Sequence, residues 1–161
     1  MSLARARRWL YSKDAAAGWL SRTRARRCGS MMNRRQILVV DDYAGARYLR
    51  SRILTDAGYE VVEAENGEDA LRLAGSVLPA LILLDVNLPD ISGTEVCSRL
   101  KSDPATAAIP VIQITGGWLS EDARRRGIAS GASAYLTEPV DDVTLLREVG
   151  TLLEPAPEKR A

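Results

Sequence analysis

Five times between Gln36 and Leu153 a short apolar run gives way to a stretch whose apolar residues recur at helical spacing. Strands and helices that alternate in this way build a parallel sheet with right-handed crossovers and helices on both faces. The runs at 37–40 and 81–84 are continuous and apolar, and the run at 111–114 is apolar but for Gln113, as central strands covered on both faces are. The run at 59–63 mixes polar and apolar residues, as an edge strand does, and the last run lies at 134–136. The strand order 2-1-3-4-5 follows, with a ligand site at the switch between the first and third strands.

The helices between these runs are expected to bury one stripe each. Ala46, Leu49, Ile53 and Ala57 form the first stripe, which Gly58 closes, and Ala70, Leu71, Ala74 and Leu78 form the second, which Pro79 stops. Ser92-Gly-Thr-Glu95 has the spacing of a capping box, so a third helix starts there and buries Val96, Cys97 and Leu100. A fourth helix, from about Glu121 to Ser130, is capped by Ser120 and ended by Gly131. Arg124, Arg125 and Arg126 dominate it, which predicts weak anchoring and an adjustable position. The fifth, starting near Asp141, carries the strongest apolar stripe: Leu145, Leu146, Val149, Leu152 and Leu153.

Composition narrows the chemistry. The chain of 161 residues has no His and only two Cys, Cys28 and Cys97, so the usual zinc sites and His-based triads are out. Cys97 falls on an apolar helix face and reads as core packing in a reducing compartment. No apolar run approaches membrane-spanning length, and no secretory signal is evident. Up to Arg35 ten basic side chains face Asp14 alone, a balance of +9, which leaves −8 for the rest of a chain of net charge +1. Residues 1–34 therefore read as a basic, disordered extension whose arginines, with Trp9 and Trp19, suit nucleic acid or an anionic membrane surface. Met31 and Met32 offer an alternative start just before the first strand. Residues 35–153 form the folded domain, and 154–161 a polar tail too short for a second domain.

In the expected topology Asp41, Asp42 and Asp85 reach the same sheet edge. Three carboxylates gathered there repel one another until a raised pKa or a cation relieves them. A hard, oxygen-seeking divalent ion such as Mg²⁺ answers that need. With it, Asp85 can stay ionised and attack a phosphoryl group. Taken singly, an acidic pair after a strand is usually a turn or cap, and Thr115 is merely a strand-end residue. Their joint occurrence at the ends of strands one, three and four is what carries the reading.

The motifs Ile37-Leu-Val-Val-Asp41-Asp42, Leu84-Asp85-Val-Asn-Leu-Pro-Asp-Ile-Ser-Gly93, Ile114-Thr115-Gly116 and Gly131-Ala-Ser-Ala-Tyr135-Leu-Thr-Glu-Pro139 resemble those of response-regulator receiver domains of two-component signalling. The resemblance covers about residues 35–153 and implies the flavodoxin-like (βα)5 fold. Its own strand order is 2-1-3-4-5, so that order is no longer an independent inference. It implies that Asp85 is the phosphoacceptor, supplied by a histidine kinase or phosphotransfer protein. Asp42 would bind Mg²⁺ directly, Asp41 mostly through water, and Asn87 through its main-chain carbonyl. Thr115 would turn its hydroxyl onto the phosphoryl group, Gly116 would leave room for it, and Tyr135 would be the aromatic switch. A downstream effector would read the altered surface. The protein would be a cytoplasmic single-domain regulator, neither an enzyme in the usual sense nor a carrier of a DNA-binding domain.

One position departs from the family. Glu138 stands where a Lys that contacts the phosphoryl group usually precedes the cis-proline, here Pro139. For unit charges about 5 Å apart at an effective dielectric near 20 the interaction is roughly 3 kcal/mol, and this replacement reverses its sign. The expectation is that Asp85 is still phosphorylated but couples less strongly to the switch. Two alternatives stand beside it: a degenerate receiver that works by binding alone, and an aspartyl-phosphate phosphatase of the haloacid dehalogenase type. The latter wants a second Asp where this chain has Asn87.

Overall fold

The computed structural model describes residues 36–117 and 121–153. Among them five strands alternate with five helices: β1 Gln36–Val40, α1 Ala44–Asp56, β2 Glu60–Ala64, α2 Gly67–Val77, β3 Leu81–Asp85, α3 Gly93–Ser102, β4 Val111–Gly116, α4 Glu121–Ala129, β5 Ala134–Glu138 and α5 Asp142–Leu153. All strand pairs are parallel, in the order β2-β1-β3-β4-β5. The basic extension, the polar tail and the Ser120 cap expected from the sequence lie outside the described residues. No helix among the described residues is long and apolar enough to cross a membrane.

Successive strand residues point to opposite faces, and the two cores follow that alternation. Leu38, Val40, Ile82, Leu84 and Val111 meet Ala70 and Ala74 of α2 and Val96, Cys97 and Leu100 of α3. Ile37, Val39, Leu81, Leu83, Ile112 and Ile114 meet Leu54 of α1 and Leu145 and Val149 of α5. Cys97 is fully buried, as core packing requires, and its thiol donates to the Ser130 carbonyl at 3.4 Å.

The helix faces differ from the periodicity in two places. In α1, Leu49 is 59% exposed and Ala57 is exposed, while Arg50, Ser51 and Leu54 are buried. Burying a leucine contributes roughly 1.5–3 kcal/mol, so Leu49 alone cannot explain the turn of the helix. Two arginines can. Arg47 donates to the Asp41 carbonyl at 2.8 Å and pairs with Glu63 and Glu65 at the end of β2, and Arg50 pairs with the Asp41 carboxylate. These ties turn the Arg50 and Leu54 side of the helix inward. In α2, Leu78 is not on the inner face but is the C-cap, left-handed at φ 50° and partly exposed. Pro79 disfavours the helical region for the residue before it, so the helix stops one residue short.

The strand ends also shift slightly. β2 runs one residue later than expected, and β4 and β5 extend to the Gly116↔Glu138 pair, which brings Thr115 and Glu138 into the ladder. Ser92 caps α3 by accepting from the Glu95 amide at 3.2 Å, while the Glu95 carboxylate turns to Arg99. Only half of the expected capping box forms.

Candidate functional site

Asp85 ends the central strand β3, and Asp41 follows β1. Because Val40 pairs with Leu84, the next register step sets Asp41 beside Asp85. Both are buried, at 3% and 8% exposure, while Asp42 is exposed. Burial, reinforced by the Asp41 charge, pushes the Asp85 carboxyl up to about 6, against the Asn87 amide and the Arg50 charge, which favour ionisation. Burial likewise raises the Asp41 carboxyl, against the Tyr43 amide and Arg50.

The loop after β3 holds its shape through backbone contacts. The Asn87 amide donates to Asp85 Oδ2 at 2.8 Å, and the Gly93 amide to the Val86 carbonyl at 2.9 Å. A Cβ on Gly93 would lie 2.1 Å from the Asp85 carbonyl oxygen, so only glycine allows the loop to close on the end of β3. Asp90 latches the loop to α2, accepting from the Gly67 and Glu68 amides at 2.8 Å each. Burial is the largest single influence and raises its carboxyl, but the amides of Gly67, Glu68 and Ile91 together outweigh it and hold the group down at about 2.

Relief of the acidic cluster comes in part from a residue the sequence reading passed over. Arg50, with an 8% exposed side chain, donates from Nη1 to Asp41 Oδ2 and from Nη2 to Glu138 Oε1. Glu138 is therefore ion-paired, and the bond to Pro139 is cis. Arg50 lies in line with Leu54, one helical turn on, and its position four residues before a core leucine was the available signal. Glu138 was the second, since the family resemblance leads one to expect a Lys there, and an acidic site without that cation calls for another.

The remaining residues lie on the other side of the sheet. By strand alternation Asp41, Asp85 and Glu138 share the α1 and α5 side, whereas Thr115 and Tyr135 share the side of Val111. Thr115 is buried. The Tyr135 ring packs on the backbone of Gly127 in α4, where a Cβ would come within 2.4 Å of the ring. Gln113, its register partner, donates from Nε2 to the Gly93 carbonyl and to Ser130 Oγ, linking the loop after β3 to the end of α4.

Among the described residues no three His, Cys, Asp or Glu side chains are arranged to hold a metal ion. Both Asp41 oxygens accept from protein donors, Tyr43 and Arg50. The donor set is nonetheless chemically suited to a hard cation: the exposed Asp42 carboxylate, Asp85, and the Asn87 carbonyl all offer oxygen donors. Asp41, held by Arg50, suits an outer position.

Residues 37–150 match the response regulator receiver domain family. Response regulator PleD of Caulobacter vibrioides is 48% identical over 118 residues, which are 73% of this chain and 26% of that protein, so this chain spans about a quarter of its length. Protein PilH of Pseudomonas aeruginosa is 37% identical over 118 residues, 97% of its length. The structure of the Vibrio cholerae chemotaxis protein CheY4 superposes with a TM-score of 0.68 at 31% identity, covering 73% of this chain and 97% of the other. Sequence motifs, sheet order and these likenesses agree, and the chain belongs to the response regulator receiver domain family.

Proposed function

We propose that this receiver accepts a phosphoryl group on Asp85 from a histidine kinase or phosphotransfer protein in the cytoplasm and signals to an effector through altered protein contacts. The observation that carries this reading is Asp85 itself, buried at the end of the central strand beside Asp41, with the exposed Asp42 close by in sequence. An Asp85 carboxylate oxygen forms a bond to phosphorus as the bond from phosphorus to the donor's leaving group breaks, and the leaving group keeps the electron pair. For a phosphohistidine donor the leaving group is an imidazole nitrogen.

Asp42, Asp85 and the Asn87 carbonyl would hold Mg²⁺, with Asp41 outside them. The ion, when bound, supplies charge neutralisation for the phosphoryl oxygens and for the carboxylates. Thr115 would hydrogen-bond the phosphoryl group, and Gly116 would leave space for it. Tyr135, packed on Gly127, gives α4 a direct reason to respond when Thr115 moves.

Intact-mass analysis after incubation with Mg²⁺ and phosphoramidate tests the reading. A Mg²⁺-dependent gain of one phosphoryl group, absent in Asp85→Asn, is expected. A second reading, a receiver that binds partners without phosphorylation, draws on the engagement of both Asp41 oxygens by protein donors. No mass gain from phosphoramidate or from phosphohistidine donors would favour it.

A further inference from the structure

We propose that Arg50 is the phosphoryl-facing cation of this receiver, and that Glu138 holds its guanidinium in place rather than meeting the phosphoryl group itself. The inference rests on the phosphoacceptor reading of Asp85. In effect the charge is relocated: the cation comes from the buried side of α1, and the end of β5 supplies the anion that orients it.

Sheet topology carries the placement. Arg50 is bound at once by carboxylates from β1 and β5, and the two strands between them in the sheet are β3 and β4. A guanidinium that reaches both lies over the ends of β3 and β4. Those ends carry Asp85 and Gly116 on the same side of the sheet as Asp41 and Glu138. Gly116, the register partner of Glu138, has no side chain to fill the gap, and a Cβ there would stand 3.1 Å from Glu138 Oε2.

The chemistry suits the placement. A buried guanidinium is strongly unfavourable unless it is paired, and Arg50 has two carboxylates. Nη1 and Nη2 each use one hydrogen on those partners, and each carries a second in the same plane, the fork geometry that matches phosphoryl oxygens. A Lys at 138 would bring one point charge from the strand end. Here a fixed planar donor comes from a helix, with its orientation set by two acids.

The test compares initial rates of phosphorylation by phosphoramidate and Mg²⁺, read by intact mass, in wild type, Arg50→Ala, Glu138→Lys and the double variant. Thermal unfolding is followed in parallel. Arg50→Ala should slow phosphorylation by at least about tenfold, the scale of losing one charge-stabilising donor. Added guanidinium ion should partly restore that rate. The double variant should recover most of it, because the cation returns to the strand end, while Glu138→Lys alone should not exceed wild type, because it faces Arg50. The double variant returns a cation to the end of β5 and remains informative if Arg50→Ala does not fold. A wild-type rate in Arg50→Ala with only a lower melting temperature, or a double variant as slow as Arg50→Ala, overturns the inference alone. A wild-type chain that gains no phosphoryl group from any donor overturns the phosphoacceptor reading and this inference with it.

Discussion

Asp41 and Asp85 stand side by side at the carboxyl edge of the sheet, one register step beyond the Val40↔Leu84 pair, and both are buried. The native state therefore carries a repulsion that the unfolded chain lacks. The Asp85 carboxyl, at about 6 in the folded protein and 3.8 in an ordinary setting, binds its proton more tightly when folded. Its contribution to stability is intact below pH 4 and falls as pH rises from about 4 to about 6.

Asp85→Asn should accordingly raise the melting temperature in metal-free buffer at pH 7.5. The gain should be on the order of 2 kcal/mol and should vanish below pH 4. Mg²⁺ should raise the melting temperature of the wild type more than that of the variant. A variant less stable than wild type at pH 7.5 would show that the carboxylate is not under this strain.

Two helix glycines should respond oppositely to alanine. At Gly127 a Cβ meets the Tyr135 ring at 2.4 Å and Gln113 Oε1 at 2.8 Å, whereas at exposed Gly75 in α2 nothing lies within 4 Å. Gly127→Ala should cost about 1–3 kcal/mol through overpacking. Gly75→Ala should stabilise by about 0.5–1 kcal/mol through helix propensity. Urea unfolding of the two variants checks both signs.

The Asp90 latch has a different pH signature. Its folded carboxyl, at about 2, lies below the ordinary 3.8, so the stabilisation is present above pH 4 and is lost as pH falls toward 2. Asp90→Ala should speed hydrogen exchange at the Gly67 and Glu68 amides at neutral pH, with β3 unaffected. Unchanged exchange at those two amides would remove the latch.

Helix α4 should exchange its amides faster than β3. Its Gly127 is buried but has no side chain, and Ile128 is 59% exposed, whereas every residue of β3 is buried. Equal protection in the two elements would contradict an adjustable α4.

The strands and the acidic strand ends were legible because each depends on local pattern: mostly apolar runs, a carboxylate at the end, a turn. Arg50 was not, because its role depends on a partner 88 residues away at Glu138 and on the rotation of α1 about its axis. An arginine within an apolar stripe looks like a break in periodicity unless the acids that meet it are known. The Asp90 latch was hidden for the same reason, since the helix it caps begins 23 residues earlier. Leu49 went the other way, an apolar residue at the right spacing that the two arginine ties turned outward.

Borohydride trapping addresses the phosphoacceptor most directly. After phosphoramidate and Mg²⁺ treatment, reduction converts an aspartyl phosphate to homoserine, and peptide mass spectrometry locates it. Homoserine at position 85, and at neither Asp41 nor Asp42, is the predicted result. Homoserine at another acid, or none in a chain whose intact mass has risen by one phosphoryl group, would contradict the assignment of Asp85.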